Sequence, residues 1–166
     1  MQDLAASADV EKASLVAKFF KTEPGEYVEG DQFLDHTSRV NNWDLVGTSA
    51  PYILGEHFRM RSRRPLVTLA KSKSLWERRI VIVSILTLIK DGEIAEIFCI
   101  AEKLLADRHN LIHKAVGWAL REIGKVSESQ LLEFLELHYA MLPRTTLRYA
   151  IDAVFSFATE APAGKF

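Results

Sequence analysis

The chain has 166 residues, of which 48% are hydrophobic and 26% charged, with 8 Gly and 5 Pro. This composition excludes disordered, collagenous and low-complexity classes, and the length predicts one packed domain. A single cysteine, Cys99, excludes a disulfide framework and a multi-cysteine zinc site. The longest apolar run, residues 80–89, is too short to span a bilayer, and no basic segment leads into an apolar run near Met1. We therefore expect a soluble, cytoplasmic protein.

The charge is unevenly distributed although its net value is −1. Residues 1–35 hold eight acidic side chains against three lysines, whereas residues 57–80 hold eight basic side chains against one acid. A local excess of one sign says more about partners than the net charge does. The middle of the chain is therefore predicted to be strongly basic.

In the first half of the chain, the sequence predicts helices over residues 9–21, 31–40, 42–54 and 62–73, with a turn at residues 23–25. Pro51 falls inside the third of these helices. Its ring would clash with the carbonyl four residues back, so we expect a kinked or loosened helix around Gly47.

In the second half, apolar periodicity and stop signals predict helices that begin near residues 75, 93, 110, 128 and 145. The first of them is expected to run unbroken to Asp91 and Gly92. No segment alternates as a strand does. The expected caps are the capping boxes Ser74/Glu77 and Ser127/Gln130, Asn110 at an N-terminus, and Gly124 as a left-handed C-cap.

These starts make a pair of helices recur about every 35 residues, a spacing typical of helical repeats. A plain helical bundle has similar helix lengths and stays open as the alternative. We predict an all-α, HEAT-like helical-repeat solenoid, an α-α superhelix, formed as one domain by residues 1–156. Residues 157–166 are expected to be a frayed tail.

Two of the predicted helices place a tryptophan beside cations. On the helix from residue 111, Lys114, Gly117 and Arg121 lie opposite the apolar face, with Trp118 at their edge. Core packing is the alternative for such a tryptophan. The helix from residue 75 carries one comparable polar stripe, formed by Trp76, Arg79, Thr87 and Lys90.

The start of the last helix offers a third cationic group. Arg144 and Arg148 lie one turn apart, and Thr145 and Thr146 between them can supply hydroxyls or exposed amides. A solvated helix start is the alternative here. Aromatic rings interleaved with cations on a helical array suit nucleic acid, because cations neutralise phosphates and flat rings contact bases or sugars. Protein ligands can use the same surface.

The sequence does not predict a metal or cofactor site. Of the five histidines, only His109 and His113 have a ligand-like i, i+4 spacing, and two imidazoles do not complete a site. Cys99 lies on an amphipathic face with no evident helper base. We expect no metal and no cofactor.

Five segments together carry a family resemblance: residues 41–46 (NNWDLV), 48–55 (TSAPYILG), 75–79 (LWERR), 113–122 (HKAVGWALRE) and 143–150 (PRTTLRYA). They closely resemble the DNA alkylation repair enzyme family, the HEAT-like-repeat alkylpurine DNA glycosylases. The resemblance covers most of residues 37–151. Parts of residues 19–34 also look like the N-terminal segment of that family.

The resemblance implies a C-shaped solenoid whose concave face grips duplex DNA as a monomer, in the nucleoid. It implies excision of cationic N3- or N7-alkylated purines by hydrolysis of the N-glycosidic bond, without flipping the damaged nucleotide into a pocket. The residues carried over at the lesion are Trp43, Trp118 and Arg79. Backbone contacts are expected from Lys114, Arg121, Arg144, Thr145, Thr146 and Arg148.

One departure from the family concerns catalysis. The resemblance places the catalytic aspartate four residues after the first tryptophan, where this chain has Gly47. A carboxylate about 4 Å from an oxocarbenium, at an effective dielectric near 20, contributes about 4 kcal/mol, or roughly a thousandfold in rate. Asp44 is a weak substitute, because a helix places it about 60° around from position 47.

A second departure is a gap. The family has further helices between the segments that resemble residues 30–34 and 35–43, whereas here Leu34 runs directly into Asp35. Roughly two repeats are absent, through a deletion or an error in the gene model, so this junction must expose or repack apolar surface.

Two function classes follow, with a third kept open. The first is a DNA alkylation repair glycosylase whose activity is lowered by Gly47. The second is a non-catalytic helical-repeat module that binds DNA or protein through the same face. The third, a pure protein scaffold, predicts no salt-dependent affinity for DNA.

Overall fold

The computed structural model describes residues 29–89 and 91–160, with side chains described as far as Asp152. This part of the chain is helical throughout, with turns and no strand, so the predicted all-α class is confirmed. The predicted helix over residues 9–21 and the turn at residues 23–25 lie outside the described residues.

The first half forms short helices. Asn42 caps α2 with its side-chain oxygen, which accepts a hydrogen bond from the Leu45 amide at 2.9 Å. The elements are α1 (Gly30–Asp35), a 3₁₀ turn (Thr37–Arg39), α2 (Trp43–Ala50), a π-helical turn (Pro51–Gly55) and α3 (Arg64–Leu69).

Pro51 disturbs the helix later than predicted. We expected loosening around Gly47, but α2 is regular through Ala50 and the wider π-helical turn begins at Pro51 itself. A prolyl nitrogen has no N–H, so the helical ladder breaks there and the π turn accommodates the break. The Pro51 carbonyl accepts a hydrogen bond from the Thr87 hydroxyl at 2.9 Å, which ties this turn to α5.

The second half confirms the predicted helix starts to within one residue. The elements are α4 (Leu75–Ser84), α5 (Leu86–Ile89), α6 (Ile94–Leu105), α7 (Asn110–Val126), α8 (Glu128–His138), a 3₁₀ turn (Tyr139–Met141) and α9 (Arg144–Glu160). The prediction of one unbroken helix from residue 75 to Asp91 is wrong, because Ile85 separates α4 from α5. The Ser84 hydroxyl donates to the Val81 carbonyl at 2.9 Å, a back-bond that bends helices.

The first capping box forms only in part. The Ser74 hydroxyl accepts a hydrogen bond from the Glu77 amide at 3.5 Å. The Glu77 carboxylate does not return to the Ser74 amide; it accepts from the hydroxyls of Ser72 and of Thr37, the latter at 2.9 Å. Glu77 therefore fixes the segment after α1 onto α4.

The other predicted caps are wrong. The ring of His109, rather than Asn110, caps α7 by accepting from the Leu111 amide at 3.3 Å. Ser127 makes no capping bond, since its hydroxyl meets that of Ser129 at 3.4 Å. Gly124 is buried inside α7, which continues to Val126, so no left-handed turn occurs there.

Helix α7 lies at the centre of the described part and packs against α4, α6, α8 and α9. The closest approach is to α9 at Gly117. A Cβ at this position would lie 2.5 Å from the Tyr149 Cβ and 2.7 Å from the Thr146 carbonyl oxygen. Only a glycine lets these two helices meet so closely.

The apolar residues just before the junction at residue 34 pack against the core. Phe33 is fully buried, and Leu34 is half-buried against the same core. Both residues belong to α1, which also includes Asp35. Among the described residues, the apolar side chains at this junction are therefore not left exposed.

Replacing Gly117 by alanine tests this helix contact. Because the added methyl would overlap α9, we expect Gly117→Ala to lower the free energy of unfolding by about 1–3 kcal/mol. The matched control is Gly47→Ala, whose Cβ meets no atom within 4 Å and which should raise that free energy by up to about 1 kcal/mol. Urea denaturation measures both changes, and equal stabilities of the two variants would contradict the close approach.

Candidate functional site

The two tryptophans singled out by the sequence line one pocket. Trp43 is the first residue of α2, and Trp118 lies in the middle of α7. The pocket has a volume of about 260 Å³ and is lined by Trp43, Lys114, Ala115, Trp118, Arg121 and Tyr149. The Trp43 side chain is 46% exposed, so its ring is open to a ligand. Separate helices thus bring two indoles and two cations together.

Arg79 lies buried under Trp43. Its guanidinium carbon is 3.4 Å from the centroid of the Trp43 ring, a cation–π stack, and its Nη1 donates to the Leu111 carbonyl at 2.8 Å. Its Nε has no hydrogen-bond partner among the described residues. Burial lowers the pKa of Arg79 to about 10, so the group still carries its charge at neutral pH.

The residues of the polar stripe predicted on the helix from residue 75 do not form one exposed face. Arg79 is only 1% exposed, Trp76 packs against the core, and the Thr87 hydroxyl is bonded to Pro51. Lys90 lies outside the described residues. The helix wheel did not anticipate that α2 covers Arg79, which supports the Trp43 ring from the protein side.

Cations surround the mouth of the pocket. Lys114 and Arg121 line it, and the guanidinium carbon of Arg148 is 5.6 Å from the centroid of the Tyr149 ring. Within the described part, Lys114, Arg144 and Arg148 form no ion pair.

The two threonines at the start of α9 have different environments. Thr145 is half-buried. Thr146 is fully buried, and its hydroxyl donates to the His113 carbonyl at 3.1 Å. The expected availability of the Thr146 hydroxyl is therefore wrong, since that group joins α9 to α7.

None of the described residues that line the pocket carries a carboxylate. Gly47 is exposed one turn after Trp43, and a Cβ built there meets nothing within 4 Å. Asp44 is exposed and does not line the pocket either. The site therefore offers flat rings and positive charge, with open space where an acidic side chain at position 47 would stand.

Comparison with known proteins identifies the family. The family described as DNA alkylation repair enzyme has a sequence model that matches residues 1–154. The chain belongs to the DNA alkylation repair enzyme family. Searches of curated proteins and of solved structures found no match.

The basic middle of this DNA alkylation repair protein is partly paired with acids from elsewhere in the chain. Of its eight basic side chains, four arginines form ion pairs, and the Arg63 guanidinium lowers the pKa of the Glu93 carboxyl. Half of the basic side chains in residues 57–80 therefore tie segments of the chain together, while Arg64, Lys71 and Lys73 are exposed. The pairs are Arg59 with Asp91, Arg61 with Asp31, Arg63 with Glu93 and Glu96, and Arg78 with Asp107.

A larger groove of about 620 Å³ lies between α6 and α8. Its lining includes Glu102 and Glu133, and the described residues that line it include no lysine or arginine. Within the described residues, no group of three potential metal ligands occurs. No helix there combines the length and the apolarity needed to cross a membrane.

Sequence reasoning missed two residues of the site in this DNA alkylation repair protein. Tyr149 lines the pocket from α9; its position one turn after Thr145 and next to Arg148 was the available signal. Ala115, an apolar residue next to Lys114 on α7, lines the pocket although it is buried. Both positions depend on how closely α9 approaches α7, which sequence periodicity does not encode.

The support of Trp43 by Arg79 can be measured without DNA. In a Trp76→Phe/Trp118→Phe background, Trp43 is the reporter. Because a lysine keeps the charge but loses the planar stack, Arg79→Lys should open the covered ring face and raise acrylamide quenching of Trp43 by up to about twofold. The matched control is the Trp43→Phe/Trp76→Phe background, in which Trp118 is the reporter. Arg79→Lys should not change the quenching of Trp118 there. Unaltered Trp43 quenching would argue against the stack.

Proposed function

We propose that this protein binds duplex DNA containing cationic N3- or N7-alkylated purines, with the damaged nucleotide held between Trp43 and Trp118. The convergence of two indoles and two cations on one pocket supports this proposal. A positively charged purine is attracted to the face of an indole, and stacking contributes about 1–3 kcal/mol per base. Shallow contact of this kind needs no flipping of the nucleotide.

The cations have a separate role in the proposal. Lys114, Arg121, Arg144 and Arg148 neutralise phosphates on either side of the lesion, with Thr145 beside them. Phosphate contacts hold the duplex in register and do not read its sequence. The two tryptophans then distinguish damaged from intact DNA.

The proposed architecture is a C-shaped, HEAT-like superhelix that acts as a monomer on DNA. Its support is the regular succession of helices that begin at Leu75, Ile94, Asn110, Glu128 and Arg144. Stacked helix pairs of this kind form extended concave surfaces. A duplex would then meet α2, α7 and α9 along one face.

The proposed reaction is hydrolysis of the N-glycosidic bond. The bond from C1′ to the purine nitrogen breaks, its electron pair neutralises the departing base, and water adds to C1′ with loss of a proton. Positive charge develops on the sugar, which a carboxylate stabilises in related chemistry. Because Gly47 supplies no carboxylate, we propose that excision is slow, by roughly a thousandfold.

The second candidate is a non-catalytic module that binds damaged or intact DNA. Among the described residues that line the pocket, none is acidic, which favours this candidate. In this case the pocket retains recognition after losing the chemistry. The two candidates differ only in whether base is released.

Restoring the carboxylate separates them. The open space at position 47 accommodates a side chain, so Gly47→Asp should fold normally and raise the release of 7-methylguanine from methylated duplex by up to about a thousandfold. The matched control is Gly47→Asn, which has the same shape without the charge. Release by the parent chain supports slow catalysis; release only by Gly47→Asp supports the binding module. No release from either, or equal release from the aspartate and asparagine variants, contradicts a carboxylate role at this position.

Salt dependence tests the proposed phosphate contacts. Each cation that meets a phosphate adds about one to the slope of log affinity against log salt, so Lys114→Ala and Arg148→Ala should each reduce that slope by about 1. Lys71→Ala, an exposed lysine outside the pocket lining, is the control and should leave the slope unchanged. Affinity that does not vary with salt would support the scaffold hypothesis instead.

A further inference from the structure

Trp118 is held by a carboxylate that does not line the pocket. Its indole N–H donates a hydrogen bond to the Glu122 side chain, with a distance of 3.2 Å from Nε1 to Oε1. The two residues lie one turn apart on α7, and Glu122 is absent from the pocket lining. The contact therefore bears on how the ring is presented to a ligand, not on the ligand itself.

Glu122 is itself held by two cations. Lys125 Nζ lies 2.8 Å from both carboxylate oxygens, and Arg121 Nη2 lies 3.5 Å from Oε1. These partners neutralise the charge of Glu122, so it does not repel phosphates near the pocket. They also hold the carboxylate beside the indole N–H, where it serves as the acceptor.

A hydrogen-bond acceptor held beside an indole N–H determines the orientation of the indole. A tryptophan side chain has two rotatable bonds and one hydrogen-bond donor, so a bond to that donor selects the rotation of the ring plane. Preorganised groups bind better because less side-chain entropy is lost on binding. Trp43 is oriented by stacking on Arg79; Trp118 has a polar counterpart in Glu122.

We propose that Glu122 is a positioning residue that presets the Trp118 ring and thereby strengthens discrimination of alkylated from intact duplex. The discrimination half of this proposal rests on the proposed function. The orientation half rests on the contacts within α7 alone. Each half has its own measurement.

The orientation is read by the ¹H–¹⁵N resonance of the Trp118 indole, assigned with Trp118→Phe. In Glu122→Ala, we expect the resonance to shift and its hydrogen to exchange with solvent faster, because the acceptor is lost. Glu122→Gln retains an acceptor oxygen and should restore a resonance close to that of the parent. Glu136→Ala, which removes an exposed glutamate from α8, is the matched control. An unchanged resonance in Glu122→Ala overturns the proposal.

Discrimination is read as the ratio of affinities for methylated and unmodified duplex. Glu122→Ala should lower this ratio about fivefold, the effect expected from one lost hydrogen bond, while Glu122→Gln keeps it. A ratio unaffected by Glu122→Ala overturns the discrimination half. If the parent protein shows no preference for methylated duplex, both the proposed function and the discrimination half of this proposal are contradicted. The indole resonance then still decides whether Glu122 orients Trp118.

Discussion

The stack of the Arg79 guanidinium on the Trp43 indole joins three helices at one point. Arg79 belongs to α4, Trp43 to α2, and the Leu111 carbonyl that accepts from Arg79 to α7. Burying a guanidinium without a carboxylate partner is unfavourable unless other groups compensate for lost hydration. The aromatic face and the carbonyl provide that compensation, and they do so only when the three helices meet in this arrangement. Trp43 is consequently held at the surface with one face supported and part of the ring open.

The opposite wall of the pocket depends on a different constraint. Gly117 lets α9 approach α7 closely, and the Thr146 hydroxyl bonds across this contact to His113. That approach places Tyr149 beside Trp118 at the pocket. A charged stack on one side and a glycine contact on the other thus position two indoles that are 75 residues apart in the sequence. The arrangement of the pocket therefore depends on groups that do not line it.

The sequence predicted the features that depend on neighbouring residues along the chain. Apolar periodicity located the helix starts from Leu75 to Arg144, the spacing of aromatic and cationic residues pointed to Trp118, and the family resemblance added Trp43. It failed where a distant segment competes for a local group: Glu77 bonds to Thr37 instead of closing its capping box, and Arg79 is covered by α2. The count of charges over residues 57–80 likewise could not show that acids remote in sequence pair with four of its arginines. Family membership came from long ordered segments, which carry more information than helix periodicity.

The central claim is that Trp43 and Trp118 contact one damaged base in duplex DNA. The most direct test is a titration followed by the three tryptophan indole resonances, using one duplex with a single methylated purine and an otherwise identical unmodified duplex. Trp76, which packs against the core and does not line the pocket, is the internal reference. The account predicts that the methylated duplex shifts the Trp43 and Trp118 resonances more than the unmodified duplex does, while Trp76 stays in place. Equal shifts with both duplexes, or a response of only one of the two pocket tryptophans, would contradict it.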